Sequence, residues 1–200
     1  VVSHLKLSVA PPDGSNRIAA GEADCYLAFD LLTATMPANL ARAHAARTTA
    51  VISTSQVPTG AMVANTDTLF PPQNTLIHAL ATTTRAQMQL DATDLAETYF
   101  GDHLAANMIT IGVAYQAGLI PIGADAIEQA IALNGVAVRM NTQAFRLGRQ
   151  IIADPAWEPA QRLIHTQSRN ADGQSPILSA EARALLAPLG ASGELLRLLE

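Results

Sequence analysis

An α/β fold with three layers, helices packed on both faces of a mostly parallel or mixed sheet, is predicted by three short apolar runs. They are "CYLAF" at 25–29, "TTAVISTS" at 48–55 and "AQMQLDAT" at 86–93. Each is followed by a stretch with helical spacing, and each is bounded by Pro, Gly, Asp or Thr. Strands alternating with helical patterns on this scale are the signature of βαβ units.

The elements follow in order. Val1 to Val9 alternates apolar with polar residues and stops at "APPDGSN", which predicts a strand exposed on one face and then a turn. Cys25–Phe29 is almost wholly apolar, as a central strand buried on both faces would be, and Asp30 lies at its carboxyl end. In "TATMPANLARAHAAR" Thr35 is the expected cap and Pro37 a first-turn residue of a helix reaching about His44. "TTAVISTS" is a second buried strand. Pro58, Pro71 and Pro72 then punctuate a turn-rich connection to a short helix over Gln73–Ala81. "AQMQLDAT" is a third strand ending at Asp91, where an Asp or Thr cap opens the next helix.

The most regular part is "DHLAANMITIGVAYQAGLIP". It places Leu104, Met108, Ile111 and Tyr115 on one stripe and closes at Gly118. Ala124, Ile127 and Ile131 share a face of a second helix that Gly135 terminates. In "NGVAVRMNTQAFRLGR" the opening Val136-Ala-Val138 looks strand-like. Counted from Val136, however, Met140, Ala144, Leu147 and Ile151 keep helical spacing, so a helix is predicted over Val136–Ala153. Beyond Asp154 the character changes. "HTQSRNADGQSP" reads as linker, and short amphipathic helices are expected to start at Ser179 and Ser192. Residues 1–154 therefore form the expected domain, and 155–200 a helical tail leading towards another.

Composition narrows the function. Of 200 residues 49% are hydrophobic and 14% charged, the latter well below the usual quarter or so, which suits a surface either small and neutral or covered by a partner, and an assembly component is expected. A net charge of -5 with no basic run leaves nucleic-acid binding without support. No apolar stretch approaches the roughly 20 residues of a membrane span, and the cytoplasm is the default expectation. Lys6 is the only lysine, hence the only Schiff-base candidate, and its alternating context favours a solvated face. With one cysteine, Cys25, the chain makes no internal disulfide and cannot by itself hold an iron–sulfur cluster, which takes about four thiolates.

Neither a dinucleotide nor a P-loop glycine pattern occurs, and no Gly-x-Ser-x-Gly. The histidines His4, His44, His78, His103 and His165 are scattered, so no metal site is expected. Asp30 and Asp91 sit where ligands of α/β sheets collect, although an Asp at that place is more often a helix cap. Asp102 and His103 read as a helix start. Asn107 is odder, because an amide in an apolar stripe needs partners.

Three segments, "IAAGEADCYLAFD", "YFGDHLAANMITIGVAYQAGLIPIGADAIEQAI" and "NGVAVRMNTQAFRLGR", in this order and spacing resemble the gamma-type domain of 2-oxoacid:ferredoxin oxidoreductases. Within that group they are most similar to the indolepyruvate enzymes, over Val1 to about Asp154. The resemblance implies oxidative decarboxylation of an aryl 2-oxoacid on thiamine diphosphate with Mg, electron transfer through iron–sulfur clusters to ferredoxin, and capture of the acyl group by coenzyme A. The chain lacks the family's Gly-Asp-Gly to Asn-Asn thiamine-diphosphate motif. Cofactors are therefore expected on other domains or subunits and none on this chain alone. Set against the gamma domain, the chain is expected to lack the glycine-rich first strand and helix, with Val1–His4 resembling the segment just after them. No catalytic residue carries over. Ser3 and His4 are candidates for approaching a ligand or partner, and Asn107 and Asn141, matching signature positions, are expected to make structural hydrogen bonds. Two other readings stand beside this one, an independent nucleotide- or coenzyme-A-binding α/β module and a purely structural scaffold.

Overall fold

The computed structural model of the chain describes residues 2–8, 14–56, 62, 64 and 69–157, and the backbone of 164–167. The strands are β1 (Cys25–Ala28), β2 (Thr49–Ser53), β3 (Ala86–Leu90) and β4 (Ile164–Gln167), in spatial order β1-β2-β3-β4. β1, β2 and β3 are parallel, and β4 joins β3 antiparallel with His165 opposite Met88. The helices are α1 (Leu31–Ala34), α2 (Pro37–Leu40), α3 (Gln73–Thr83), α4 (Ala92–Phe100), α5 (Ala106–Gln116), α6 (Ala124–Asn134) and α7 (Val138–Ala153), with a 3-10 turn at His103–Ala105 before α5. This is the three-layer α/β arrangement with a mixed sheet that the alternating runs predict.

Successive strands lie side by side, so crossovers of one hand put the intervening helices on one face. On that face Tyr26, Ala28, Ala50 and Ile52 meet Leu31 and Ala34 of α1 and Leu76 and Leu80 of α3. The side-chain period of two turns Leu27, Val51 and Met88, paired in one row, to the other face. There they meet Leu95 of α4, Ile109 and Val113 of α5, and Ala144, Leu147 and Ile151 of α7.

The second face is held by the crossing of α5 over α7. A Cβ added at Gly112 would overlap the Phe145 carbonyl oxygen, and one added at Gly148 would overlap that of Ile109. The two helices thus touch backbone to backbone at a pair of glycines. The rest of the 134–149 signature reads out as packing around this crossing. Ala144 and Phe145 are buried. Arg146 grips Glu128 of α6 with the Nε–Nη2 edge of its guanidinium, at 2.9 and 2.6 Å. Arg149 lies 5.2 Å over the Tyr115 ring and 5.7 Å from that of Phe145.

Several expectations need correction. Residues 2–8 form no strand. Leu5 and Leu7 are exposed, while His4 Nδ1 accepts from the Ile18 N–H at 3.0 Å and Lys6 Nζ donates to the Ser15 carbonyl at 2.7 Å. Alternation prepares two faces, but a strand exists only with a ladder partner. β1 is half-buried and flanked by one strand among those described, not a central strand buried on both faces. The expected Thr35-capped helix to His44 is only the single turn α2, whose N-cap is Met36; the separate turn α1, capped by Asp30, precedes it, and the Thr35 hydroxyl at its end donates back to Leu31 O at 2.8 Å.

The buried residues of α5 are Ile109, Thr110, Gly112, Val113 and Ala114, and Leu104, in the turn before it, is exposed. A helix apolar on all sides leaves the period unable to choose a face, and the glycine decides it. α7 starts at Val138, since Gly135 (φ 71°) and Ala137 (φ 44°) both turn left-handed before it. Residues 165–167, expected as linker, belong to β4, whose identity rests on backbone pairing that composition does not show. Pro58 and the helices expected from Ser179 and Ser192 lie outside the described residues.

Replacing Gly112 or Gly148 with Ala is expected to lower unfolding free energy by about 3 kcal/mol or more, since helix backbones must separate. The helix-propensity gain of roughly 1 kcal/mol does not offset this. Urea denaturation checks it, with Gly123→Ala, where the added methyl meets open space, as a near-neutral control.

Candidate functional site at the strand carboxyl edge

Ligands of open α/β sheets gather beyond the carboxyl ends of the parallel strands. Here that edge carries Asp30 after β1, Ser53 to Ser55 at the end of β2, and Asp91 after β3. The Thr54 N–H donates to the Leu90 carbonyl at 2.9 Å, which prolongs the β2–β3 pairing by one step. It brings the Ser55 hydroxyl within 2.7 Å of Asp91 Oδ1, to which it donates. Ser55 Oγ lies 3.0 Å from Ser53 Oγ and accepts from the Thr93 N–H at 3.1 Å. Gln73 Nε2, from the first turn of α3, donates to the Thr54 carbonyl at 2.7 Å.

Both carboxylates serve as caps. Asp91 Oδ1 accepts from the Asp94 N–H at 3.0 Å, and Asp30 Oδ1 from the Thr33 N–H at 2.6 Å. Ser53 and Ser55 are buried. The edge is a rigid, hydrogen-bonded rim that ties β2, β3, α3 and α4 together, and the structural reading of both Asp residues is the one realised. Sequence reasoning missed Ser53, Ser55 and Gln73. The serines right after the "AVI" core of β2 were the available signal.

The four candidates named from the sequence lie on separate elements, and none bonds another. Ser3 is exposed, and His4 is half-buried and tied to Ile18. Asn107 lies on the exposed side of α5, not in its buried stripe. Asn141 Nδ2 donates to the Val136 carbonyl at 3.0 Å, bracing the strained Ala137 turn from inside α7. Asp102 caps the 3-10 turn through the Leu104 N–H at 2.9 Å, with His103 Nδ1 3.9 Å away.

Titratable groups near the sheet are held in quiet states. Burial, with the Asp24 charge adding to it, pushes the Cys25 thiol from its ordinary 9.0 up to about 11. Burial alone pushes Tyr26 from 10.0 up to about 12, and its hydroxyl donates to Ala34 O at 2.7 Å. Hydrogen bonding to Arg47 holds Asp24 below its ordinary value, and Arg146 does the same to Glu128. An iron–sulfur cluster does not fit this donor set, because the chain's single thiol falls short of about four. Among the described residues no three His, Cys, Asp or Glu side chains converge, and no helix is long and apolar enough to cross a membrane.

Asp91→Ala is expected to cost about 1–2 kcal/mol of stability, since it removes the α4 cap and leaves the Ser55 hydroxyl without its acceptor; the shift of the urea midpoint measures it. A second expectation concerns alkaline pH. A thiol whose folded pKa is raised contributes stability that is whole below the unfolded value and is lost as pH rises through the folded one. Stability should fall between pH 9.0 and about 11 through Cys25, and from 10.0 to about 12 through Tyr26. Urea unfolding of Cys25→Ala across this range should lack the earlier part of the decline; an unchanged profile would show that the thiol is not protected.

A family model for pyruvate ferredoxin/flavodoxin oxidoreductase matches residues 1–151. A search among curated proteins finds no match. The matched stretch takes in β1 to β3 and almost all of α7, so the Gly112–Gly148 crossing and the strand-edge rim lie inside it. The chain belongs to the pyruvate ferredoxin/flavodoxin oxidoreductase family.

Proposed function

We propose that this chain is the gamma-type domain, residues 1–154, of an indolepyruvate (aryl 2-oxoacid):ferredoxin oxidoreductase, a cytoplasmic enzyme in which it assembles with and supports the catalytic domains. The family match over residues 1–151 carries this reading. It is supported by the three ordered segments that resemble the indolepyruvate enzymes and by the way their residues are used. Asp24, Asn141, Phe145, Arg146 and Arg149 are spent on ion pairs, turn bracing and packing inside the domain.

In the assembled enzyme thiamine diphosphate with Mg would supply the carbanion chemistry, iron–sulfur clusters the electron route to ferredoxin, and coenzyme A the acyl acceptor. All three are assigned to other domains or subunits. This chain's own residues contribute shape. The rim at Ser53, Ser55 and Asp91 and the α5–α7 crossing keep its surfaces rigid for docking.

The test is reconstitution. The full set of domains should reduce ferredoxin with indolepyruvate and coenzyme A, form the acyl-CoA, and prefer indolepyruvate to pyruvate. The isolated chain should show no turnover. Turnover by the chain alone sinks the assembly role, and preference for pyruvate sinks the aryl specificity. Calorimetry of the chain with coenzyme A and adenine nucleotides separates the alternative of an independent binding module, for which tight binding without partners is required.

A further inference from the structure

The opposite edge of the sheet, where the parallel strands begin, holds a cleft of about 360 Å³. Asp24 and Cys25 at the start of β1, Thr49 at the start of β2, Arg47, Arg85 and Gly118 line it. Backbone bonds set this geometry. The Thr49 N–H donates to Asp24 O at 2.9 Å, the Arg85 N–H to Thr48 O at 2.8 Å, and the Leu119 N–H to Ala114 O at 3.0 Å, which fixes the turn bearing Gly118.

The charges within it do not cancel. Arg47 Nε donates to Asp24 Oδ1 at 2.6 Å, so these two form a neutral pair. Cys25 keeps its proton and adds no charge. Arg85 is left over, and among the described residues no carboxylate lies within ion-pair distance of it. Its guanidinium is oriented, because Nη2 donates to the hydroxyl of buried Thr49 at 3.2 Å. That bond uses one of the five N–H donors a guanidinium carries. A guanidinium held at one end by a buried hydroxyl, in a cleft whose lining leaves its charge without a paired carboxylate, presents its fork to planar or tetrahedral oxyanions.

We propose that this amino-edge cleft binds the carboxylate or phosphate group of a small ligand, with Arg85 as the bidentate partner and Thr49 as its positioning residue. The site stands apart from the carboxyl-edge rim and does not depend on which oxoacid the enzyme uses.

NMR titration of the full chain tests it, with sodium phosphate and sodium acetate in separate arms against sodium chloride at equal ionic strength. Saturable shifts of the Arg85 Nε–H and of the Thr49 and Gly118 amides are expected with phosphate or acetate and not with chloride. Tighter binding of phosphate assigns a phosphate ester, and tighter binding of acetate a carboxylate. Arg85→Gln should weaken the better anion by at least about tenfold, with unchanged far-UV circular dichroism. Arg85→Lys, which keeps the charge and loses the fork, should fall in between. Shifts that never saturate with either anion overturn the site. Binding unchanged in Arg85→Gln, or in Arg85→Lys should the Gln variant misfold, overturns the role of Arg85.

Discussion

The contact on which the other parts depend is the backbone-to-backbone approach of α5 and α7 at Gly112 and Gly148. Two helices separated by ordinary side chains lie about 8–10 Å apart. Here the missing Cβ atoms let the axes come closer, so Ile109, Val113, Ala144, Leu147 and Ile151 enter one cluster with Val51 and Met88 of the sheet. Dispersion falls steeply with separation, so this approach sets how well the whole second face is packed. It also fixes the azimuth of α7. With Gly148 against Ile109, Arg146 is directed to Glu128 and Arg149 to the rings of Tyr115 and Phe145.

The sheet transmits this order to its two edges. At the carboxyl ends the Thr54–Leu90 backbone bond aligns Ser55 with Asp91, which makes the β2 and β3 exits one unit with the start of α4. At the amino ends the "GEAD" stretch is latched in the same manner. Ala23 donates to Arg42 O at 3.0 Å and accepts from the Thr48 hydroxyl at 2.6 Å, and Asp24 is paired with Arg47. On the α3 side of β3 the buried Gln89 amide donates to Gln87 at 2.9 Å, Gln87 lies 3.4 Å from the Thr84 hydroxyl, and that hydroxyl donates to Leu80 O at 2.8 Å. Buried amides cost several kcal/mol if unpaired, so this ladder fixes register as well as filling space.

What could be read from the sequence divides along physical lines. The cores of β2 and β3, α3, α4 and the stop at Gly135 were legible, because each depends on local hydropathy, a cap or a left-handed turn within a few residues. The 2–8 segment, the edge position of β1 and the existence of β4 were not, because strand identity is a property of pairs. The facing of α5 was not legible either. Its apolar residues surround the helix, and only a second glycine about 36 positions on, in α7, selects the side that packs closely. At the candidate site, Asp30 and Asp91 were visible as cap or ligand positions, and their geometry decides for caps. Ser53, Ser55 and Arg85 draw their meaning from neighbours distant in the chain.

Several reactive side chains among the described residues are already engaged. Asp30 and Asp91 hold helix starts, Asp24 and Glu128 hold arginines, the Tyr26 hydroxyl donates to a backbone carbonyl, and Cys25 is kept protonated by burial. A group committed in this way gives up its bond before it can serve a substrate, which costs on the order of 1–3 kcal/mol for each partner left buried and unsatisfied. Each of these groups holds the fold in place first, and it is as fixed structure that the described residues use them. Arg85 departs from the pattern, since its charge has no described partner and its orientation is set by Thr49. At the amino edge, where Asp24 and Arg47 pair with each other, the Arg85 charge is the one open to an anion from outside the domain.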